Sequence, residues 1–297
     1  MGIKVQNAPL LKELTTLKLG GRALALASVK DAKNLEELPG LLERLGGSPM
    51  VLGKGSNILA RDGELDLVLI KMSGGGEPDV MHESGGKVRV RVPAGMALQR
   101  FVIWCVKRGL SGLEGLAGIP GAVGGAVAMN AGSWGYETGN AVARVQLYSP
   151  CCGLRWVLKE DLAFGYRHFA PATLNGRGDY FLITAVEFDF NVAGKSSVSA
   201  EHKKWLEKKK STQPIEAATA GCVFKNPEQA PAGKLLDDAG LKGFGIGGMS
   251  FSVMHANFMI NNGEGNAAQA FELIDTAREK VREKFNVQLE LEVKVAP

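Results

Sequence analysis

Short alternating strands with few strongly amphipathic helices, a chain long enough for more than one core, and a charged break near residue 200 together predict an α+β protein in three parts. The chain has 297 residues, 45% of them hydrophobic, and at roughly 100–200 residues per domain this suits two or three units. The parts expected are residues 1–75 with the closing strand 286–297, residues 76–198, and residues 199–285.

In the first part Ala23–Ser28 reads as a strand, Asp31–Leu45 as an amphipathic helix, and Pro49–Gly53 and Leu65–Ile70 as strands. The second opens on Lys87–Pro93, where strict alternation puts Val88, Val90 and Val92 on one face and Lys87, Arg89 and Arg91 on the other. Apolar spacing over Met96–Arg108 predicts a helix that Gly109 ends, with Cys105 in its core face. Strands at Ala143–Ser149, Arg155–Leu158 and Tyr180–Phe190 complete one mixed sheet. Glu201–Lys210, EHKKWLEKKK, reads as a solvated helix at the boundary. The third part has a short helix at Lys234–Ala239, a glycine-rich loop at 240–248 and a long amphipathic helix at Ala267–Phe285. Val287–Val295 alternates again as a closing strand, with Leu289, Leu291, Val293 and Val295 inward and Glu290, Glu292 and Lys294 opposite.

A net charge of +4 with scattered basic residues and 7% aromatics accommodates an anionic small molecule and gives no nucleic-acid signature. The four cysteines, Cys105, Cys151, Cys152 and Cys222, form no CxxC pair and have no histidine at metal spacing, so neither a metal nor a disulfide framework is expected. Reduced thiols, no signal segment and no apolar run long enough to span a bilayer point to a cytoplasmic protein away from membranes. No obligate protein partner is expected.

Two loops carry the chemistry. Gly118–Gly132, GIPGAVGGAVAMNAG, is glycine-dense and uncharged, and Asn130 is its one polar side chain. Its glycines let main-chain amides approach phosphates or a flat ring without obstruction by Cβ atoms; the same composition also serves a tight-turned apolar core segment. Gly53-Lys54-Gly55-Ser56-Asn57 offers a second glycine-freed turn with short polar side chains, read either as a phosphate site or as a plain hairpin turn. It is neither a Walker loop nor GxGxxG.

Laid end to end, TTLKLGGRA at 15–23, VLGKGSNIL at 51–59, the glycine run, FGYRHF at 164–169, AGCVFKNP at 220–227, AGLKG at 239–243, HANFMINNG at 255–263 and LELEV at 289–293 resemble the UDP-N-acetylenolpyruvoylglucosamine reductase family over nearly the whole chain. The resemblance implies an α+β architecture: a two-domain FAD-binding fold of the vanillyl-alcohol-oxidase type, here 1–75 with 286–297 and 76–198, plus a third α/β substrate-binding domain at 199–285. It implies FAD held by Gly53, Lys54, Gly55, Ser56, Asn57, Ile119, Pro120, Gly121, Gly124, Gly125, Met129, Asn130 and Gly132. It also implies NADPH as reductant and a UDP-sugar substrate whose enol ether takes hydride at C3 from flavin N5.

That chemistry sends negative charge to C2 and the neighbouring carboxylate. By resemblance Arg167 grips the carboxylate, Glu292 assists the developing charge, and Cys222, where the family more often has serine, protonates C2. A guanidinium stays charged and forks onto a carboxylate as a lysine cannot. A thiol, with an ordinary pKa of about 8.5, is a stronger acid than a hydroxyl. Glu290 rivals Glu292, because both lie on one strand face and only the motif register separates them. Tyr166, Lys225 and Asn226 are implied as substrate-binding residues, with Lys208–Gln213 as a weaker lysine-rich candidate. The interval from Arg167 to Cys222 resembles the family form that lacks an extra tyrosine loop. Other readings of the same loops are a flavin oxidase of a small alcohol, or a non-catalytic module binding flavin or a UDP-sugar.

Overall fold

The computed structural model describes residues 2–172 and 180–297. The chain forms two compact units, one of Met1–Gln6, Ala25–Gly53 and Leu67–Lys209, the other of Asn7–Leu24, Lys54–Asp66 and Lys210–Pro297. Segments 7–24 and 54–66, grouped with the first part on sequence, thus lie in the same unit as 210–297.

The first unit is built on a mixed-length antiparallel sheet in the order Gly153–Leu158, Val142–Ser149, Leu182–Val192, Lys87–Pro93, Asp79–Ser84. Val88, Val90 and Val92 are buried as the alternation requires. The opposite face of the sheet is held by charge: Glu187, fully buried, accepts from Arg91 on one neighbouring strand and Arg144 on the other. Trp156 lies under both guanidiniums, at 5.1 and 4.7 Å from its ring centre. The Leu98–Arg108 helix packs Leu98, Phe101, Val102 and Cys105 into this core. It stops at Gly109, whose φ of 70° and ψ of 29° form the left-handed C-cap that a side chain resists. Burial pushes the Cys105 thiol far up, the ordinary fate of a core cysteine.

A smaller sheet lies mainly in this unit, in the order Ile3–Asn7, Arg22–Val29, Glu64–Met72, Ser48–Val51. The expected 31–45 helix is split: a tight 3-10 stretch, Ala32–Glu37, gives way to the Leu38–Leu45 helix, where Pro39 occupies a first-turn position that needs no amide donor. Glycine-rich composition concealed a further helix, Val123–Ala128. Propensity disfavours it, yet the amides of Val123 and Gly124 are fixed by the carbonyls of Met96 and Ala94 at 2.9 Å each, so tertiary contacts override propensity. The boundary helix begins at Lys195 and runs to Thr212.

The second unit centres on the Ala267–Phe285 helix, found with the bounds expected, whose buried residues are Ala267, Ala270, Leu273, Ile274, Ala277 and Val281. It covers a four-stranded sheet in the order Thr219–Cys222, Phe258–Asn261, Met249–Phe251, Gly245–Ile246. The closing segment departs from the strand expected over 287–295. Only Lys294–Ala296 is a strand, paired in parallel with Ile58–Ala60. Val287, Leu289 and Val293 are buried, but the phase slips at the strand: Val295 is exposed and Ala296 buried. The ladder turns Ala296 inward and Val295 outward, which a pattern of residue types cannot register.

Candidate active site

In the first unit, the glycine run is gripped from the helix before it. Gln99 Nε2 donates to the carbonyls of Leu116 at 2.9 Å and Ile119 at 2.8 Å, and its Oε1 accepts the Gly118 amide at 2.7 Å. One amide side chain therefore fixes the entry to Ile119, Pro120 and Gly121, the last at a φ of 135° that L side chains rarely adopt. Gln99 carried no sequence signal beyond its place on an amphipathic helix.

The run's glycines divide in purpose. A Cβ on Gly124 would press on Ala94 at 2.9 Å, and one on Gly132 would strike the Tyr136 carbonyl, so these two permit close packing. Gly125 is exposed and a Cβ there would meet nothing within 4 Å; on Gly53 the nearest atom would be Ala122 Cβ at 3.8 Å. Open, Cβ-free backbone at Gly53 and Gly125, with Gly53 beside the run, leaves the surface a flat phosphorylated cofactor requires. The residues present fit such a group.

The Asn130 side chain is bonded within the unit. Buried and at a φ of 41°, it accepts the Gly139 amide at 2.9 Å and donates to Glu137 Oε2 at 2.9 Å and to the Gly165 carbonyl at 3.0 Å. Its side-chain amide is committed to internal bonds, and its main-chain amide donates to the Val127 carbonyl at 3.0 Å. Gly165 starts the two-residue turn Tyr166-Arg167 between strands Leu162–Gly165 and His168–Pro171. Arg167 occupies its second position at a φ of 53°, where glycine is usual. From there its NH2 group donates to the Gly132 carbonyl at 3.3 Å and its guanidinium lies 5.0 Å from the Tyr166 ring centre. Asn130 to Gly165 and Arg167 to Gly132 thus tie the turn to the run on both sides. Such a backbone conformation at a non-glycine residue persists where surrounding bonds hold it.

Beyond Gly132 an aromatic and cationic group closes the unit. Trp134 stacks on Trp205 at 5.0 Å, Lys208 and Lys209 lie 5.5 and 5.1 Å from the Trp134 ring centre, and Lys209 is buried. Burial, and then Glu114, push the Tyr136 phenol above its usual range; burial holds His202 below its own.

Gly53–Asn57, of which residues 54–57 belong to the second unit, is not a hairpin turn, because Ser48–Val51 pairs with Glu64–Met72 while Ile58–Ala60 pairs with Lys294–Ala296. A Cβ on Gly55 would strike the Leu14 carbonyl, so that glycine serves chain packing, while Lys54 is exposed and Ser56 half-buried. Thr16 bridges this loop to the thiol's strand: its amide donates to the Gly55 carbonyl at 3.1 Å and its Oγ1 to the Thr219 carbonyl at 2.7 Å. Cys222 ends that strand opposite Phe258, after a bulge in which Gly221 has a φ of 80°. A bulge re-aims the side chain that follows it. The Glu292 amide donates to the Val223 carbonyl at 2.8 Å, and Asn57 Nδ2 donates to the Glu292 carbonyl at 3.2 Å.

Thr16, Asn57, Cys222 and Glu292 are therefore joined in one backbone circuit. Glu290 is exposed: its carboxylate pairs with Lys225 Nζ at 3.1 Å and its carbonyl accepts the Lys225 amide at 2.9 Å. That ion pair also engages Lys225, and Asn226 Oδ1 accepts the Ala232 amide at 3.0 Å at the start of the Ala232–Asp238 helix. Among the expected catalytic residues, Arg167 belongs to the first unit and Cys222 and Glu292 to the second. No group of three or more His, Cys, Asp or Glu among the described residues has metal-binding geometry.

The chain is similar to known proteins. Residues 23–151 match the family model described as FAD binding domain, and residues 213–296 the model described as UDP-N-acetylenolpyruvoylglucosamine reductase, C-terminal domain. The chain is 47% identical over 294 residues to UDP-N-acetylenolpyruvoylglucosamine reductase from Nitratidesulfovibrio vulgaris, covering 99% of this chain and 98% of that one. It is 45% identical to the enzyme of that name from Oleidesulfovibrio alaskensis, with the same coverage. The crystal structure of UDP-N-acetylenolpyruvylglucosamine reductase from Thermus caldophilus superposes with a TM-score of 0.83 at 33% identity, covering 99% of this chain and 100% of that one.

Proposed function

Because the chain belongs to the UDP-N-acetylenolpyruvoylglucosamine reductase family, we propose how its own residues divide the work of that reaction. The protein is an FAD-dependent oxidoreductase that reduces UDP-N-acetyl-3-O-(1-carboxyvinyl)glucosamine to UDP-N-acetylmuramate with NADPH, in peptidoglycan precursor synthesis. Bound FAD would supply the two-electron carrier between NADPH and C3 of the enol ether.

Backbone at Gly53, at Ile119–Gly121, and at Gly125, Met129 and Gly132 is assigned to the cofactor, with Lys54, Ser56 and Asn57 toward its phosphates. Gly55, Gly124 and Asn130 support that surface through the packing and hydrogen bonds already described. Arg167 orients the substrate by its carboxylate and offsets the charge that spreads into it; its fork is aimed by the Gly132 carbonyl and by the turn that Asn130 holds. Glu292 holds a proton beside the developing charge, and Cys222 delivers its thiol proton to C2, on the face set by the bulge at Gly221. Tyr166, Lys225 and Asn226 anchor the rest of the nucleotide sugar. We assign 1–75 with 286–297 and 76–198 to flavin binding and 199–285 to substrate binding, and the cytoplasm as the setting. No helix among the described residues is long and apolar enough to cross a membrane, and all four thiols are outside disulfides.

The observation that carries the assignment of roles is the double tie between the glycine run and the Tyr166-Arg167 turn, since a solvent-facing arginine has no need of either bond. Anaerobic stopped-flow absorbance tests the reading. NADPH should bleach the yellow protein, and the enolpyruvyl nucleotide sugar should restore the colour faster than dioxygen does. Equal or faster recovery with dioxygen alone would favour an oxidase, and no bleaching at all a non-catalytic module.

A further inference from the structure

Cys151 and Cys152 stand side by side in the turn between strands Val142–Ser149 and Gly153–Leu158. The Cys152 amide donates to the Ser149 carbonyl at 3.2 Å, Gly153 leaves the turn at a φ of 65°, and Ser149 faces Gly153 in the ladder. Ser149 is buried, and its strand is paired on the other side with Leu182–Val192. The turn is therefore anchored on the sheet. Both thiols are exposed and their sulfurs lie 3.0 Å apart, with Cys151 Sγ 3.4 Å from Ser149 Oγ.

Two sulfurs on one side of a fixed turn make a soft two-toothed ligand. A direct bond between them is disfavoured. The peptide between them is trans, so their Cα atoms are about 3.8 Å apart, below the roughly 4.4–6.8 Å that disulfides span, and a bond so strained is easily reduced. A third atom between the sulfurs removes that strain. Zinc demands about four ligands, which the turn does not supply. Linear two-coordinate ions want sulfurs on opposite sides, whereas a pyramidal trivalent centre takes both from one side.

We propose that the Cys151–Cys152 turn binds trivalent arsenic as a dithiolate. Arsenous acid condenses with two thiols: two As–S bonds form, two As–O bonds break, and each departing hydroxyl leaves as water with one thiol proton. No oxidation state changes. Phenylarsine oxide reacts alike, losing one water. After the first sulfur bonds, the second attacks within the same turn at high effective concentration, so the pair binds far more tightly than either thiol alone.

Titration of the holoenzyme with phenylarsine oxide, read by intact mass and by loss of titratable thiols, tests this. One adduct per chain should form at the cost of two thiols, map to the 151–152 peptide, and yield to a dithiol but not to a monothiol. Cys151→Ser and Cys152→Ser should each weaken it by about 100-fold or more, the scale of a lost chelate. Both changes lie on an exposed turn, and an unaltered flavin spectrum will confirm that the variants fold. Undiminished binding in either variant, release by a monothiol, or an adduct mapped to Cys222 would overturn the proposal.

Discussion

Asn57 donates from Nδ2 to the main-chain carbonyl of Glu292 at 3.2 Å, and the Lys294 amide returns a bond to the Asn57 carbonyl at 3.0 Å. A loop near the start of the chain and the tail near its end are clasped at the residue proposed to serve the substrate's developing charge. The clasp continues into the parallel pairing of Ile58–Ala60 with Lys294–Ala296, so Glu292 has one side of its backbone fixed by a ladder and the other by Val223.

Asn57→Ala removes one donor from that clasp. A single hydrogen bond contributes about 1 kcal/mol net, or roughly a fivefold rate effect if the whole loss reaches the transition state. Reoxidation by the enolpyruvyl nucleotide sugar should slow by about that factor, and Asn57→Asp, which loses the donor and sets a carboxylate against the Glu292 carbonyl, should slow it at least as much. Stopped-flow traces of the two half-reactions check the claim. Equal slowing of NADPH oxidation and substrate reduction would sink it.

The sequence could not choose between Glu290 and Glu292, because alternation puts both on one face. In the structure they differ in side-chain partner: Lys225 pairs with the Glu290 carboxylate, while the backbones of both are held, Glu290 by the Lys225 amide and Glu292 by Val223 and Asn57. Asn130 shows the opposite limit. The resemblance put it at the cofactor; in the structure Gly165 and Glu137 take its side-chain amide, and no periodicity links such positions. Burial at Leu289 and Val293 was legible; the strand was not, since side chains alternate in an extended segment whether or not its backbone is paired. The two long amphipathic helices and the half-buried 87–93 strand were read correctly, because local pattern and tertiary burial agree there.

Arg167→Lys keeps the positive charge and discards the planar fork. It also gives up the bond to Gly132, leaving a flexible ammonium on a strained turn. Charge-assisted hydrogen bonds contribute about 1.5–3 kcal/mol each, so kcat/KM for the nucleotide sugar should drop by about 100-fold. Bleaching by NADPH should stay within about threefold of the parent rate. A comparable loss in both half-reactions would place Arg167 in support of the flavin surface instead.

Glu187 links the first unit's acid stability to three strands. Burial alone would raise its pKa, but hydrogen bonds from Arg144 and Arg91 outweigh burial and hold the carboxyl below its ordinary range. A carboxylate lowered on folding adds stability above its unfolded pKa of about 4.3, and that stability disappears as pH falls from there toward the folded value. Glu187→Gln should therefore lower Tm at neutral pH and flatten the fall in Tm below about pH 4.3. The expected cost is about 2 kcal/mol, less than for a fully buried pair, because Arg91 and Arg144 keep 36% and 32% of their side-chain exposure. Calorimetry across pH 3–7, a range set by the reference carboxylate pKa of about 4.3, will show this; parallel acid profiles for parent and variant would contradict it.

Cys222 allows the sharpest test, because serine and alanine replace the thiol with different chemistry at nearly constant size. A proton donor must be protonated when C2 collects charge, so substrate reduction by the parent protein should fall as pH rises through the thiol's pKa. Cys222→Ser keeps a donor that does not ionise in that range. It should retain turnover within about tenfold and lose the alkaline fall, while Cys222→Ala should lose about 10²–10⁴-fold, the usual contribution of a positioned acid. Bleaching by NADPH should proceed in all three proteins, since no proton need reach C2 in that step. The bulge at Gly221 is the reason for expecting so large a loss: it fixes where the donor points, and solvent cannot replace a donor held on one face of the reacting carbon. Full turnover in Cys222→Ala, or an alkaline fall that persists in Cys222→Ser, would assign the proton to another group.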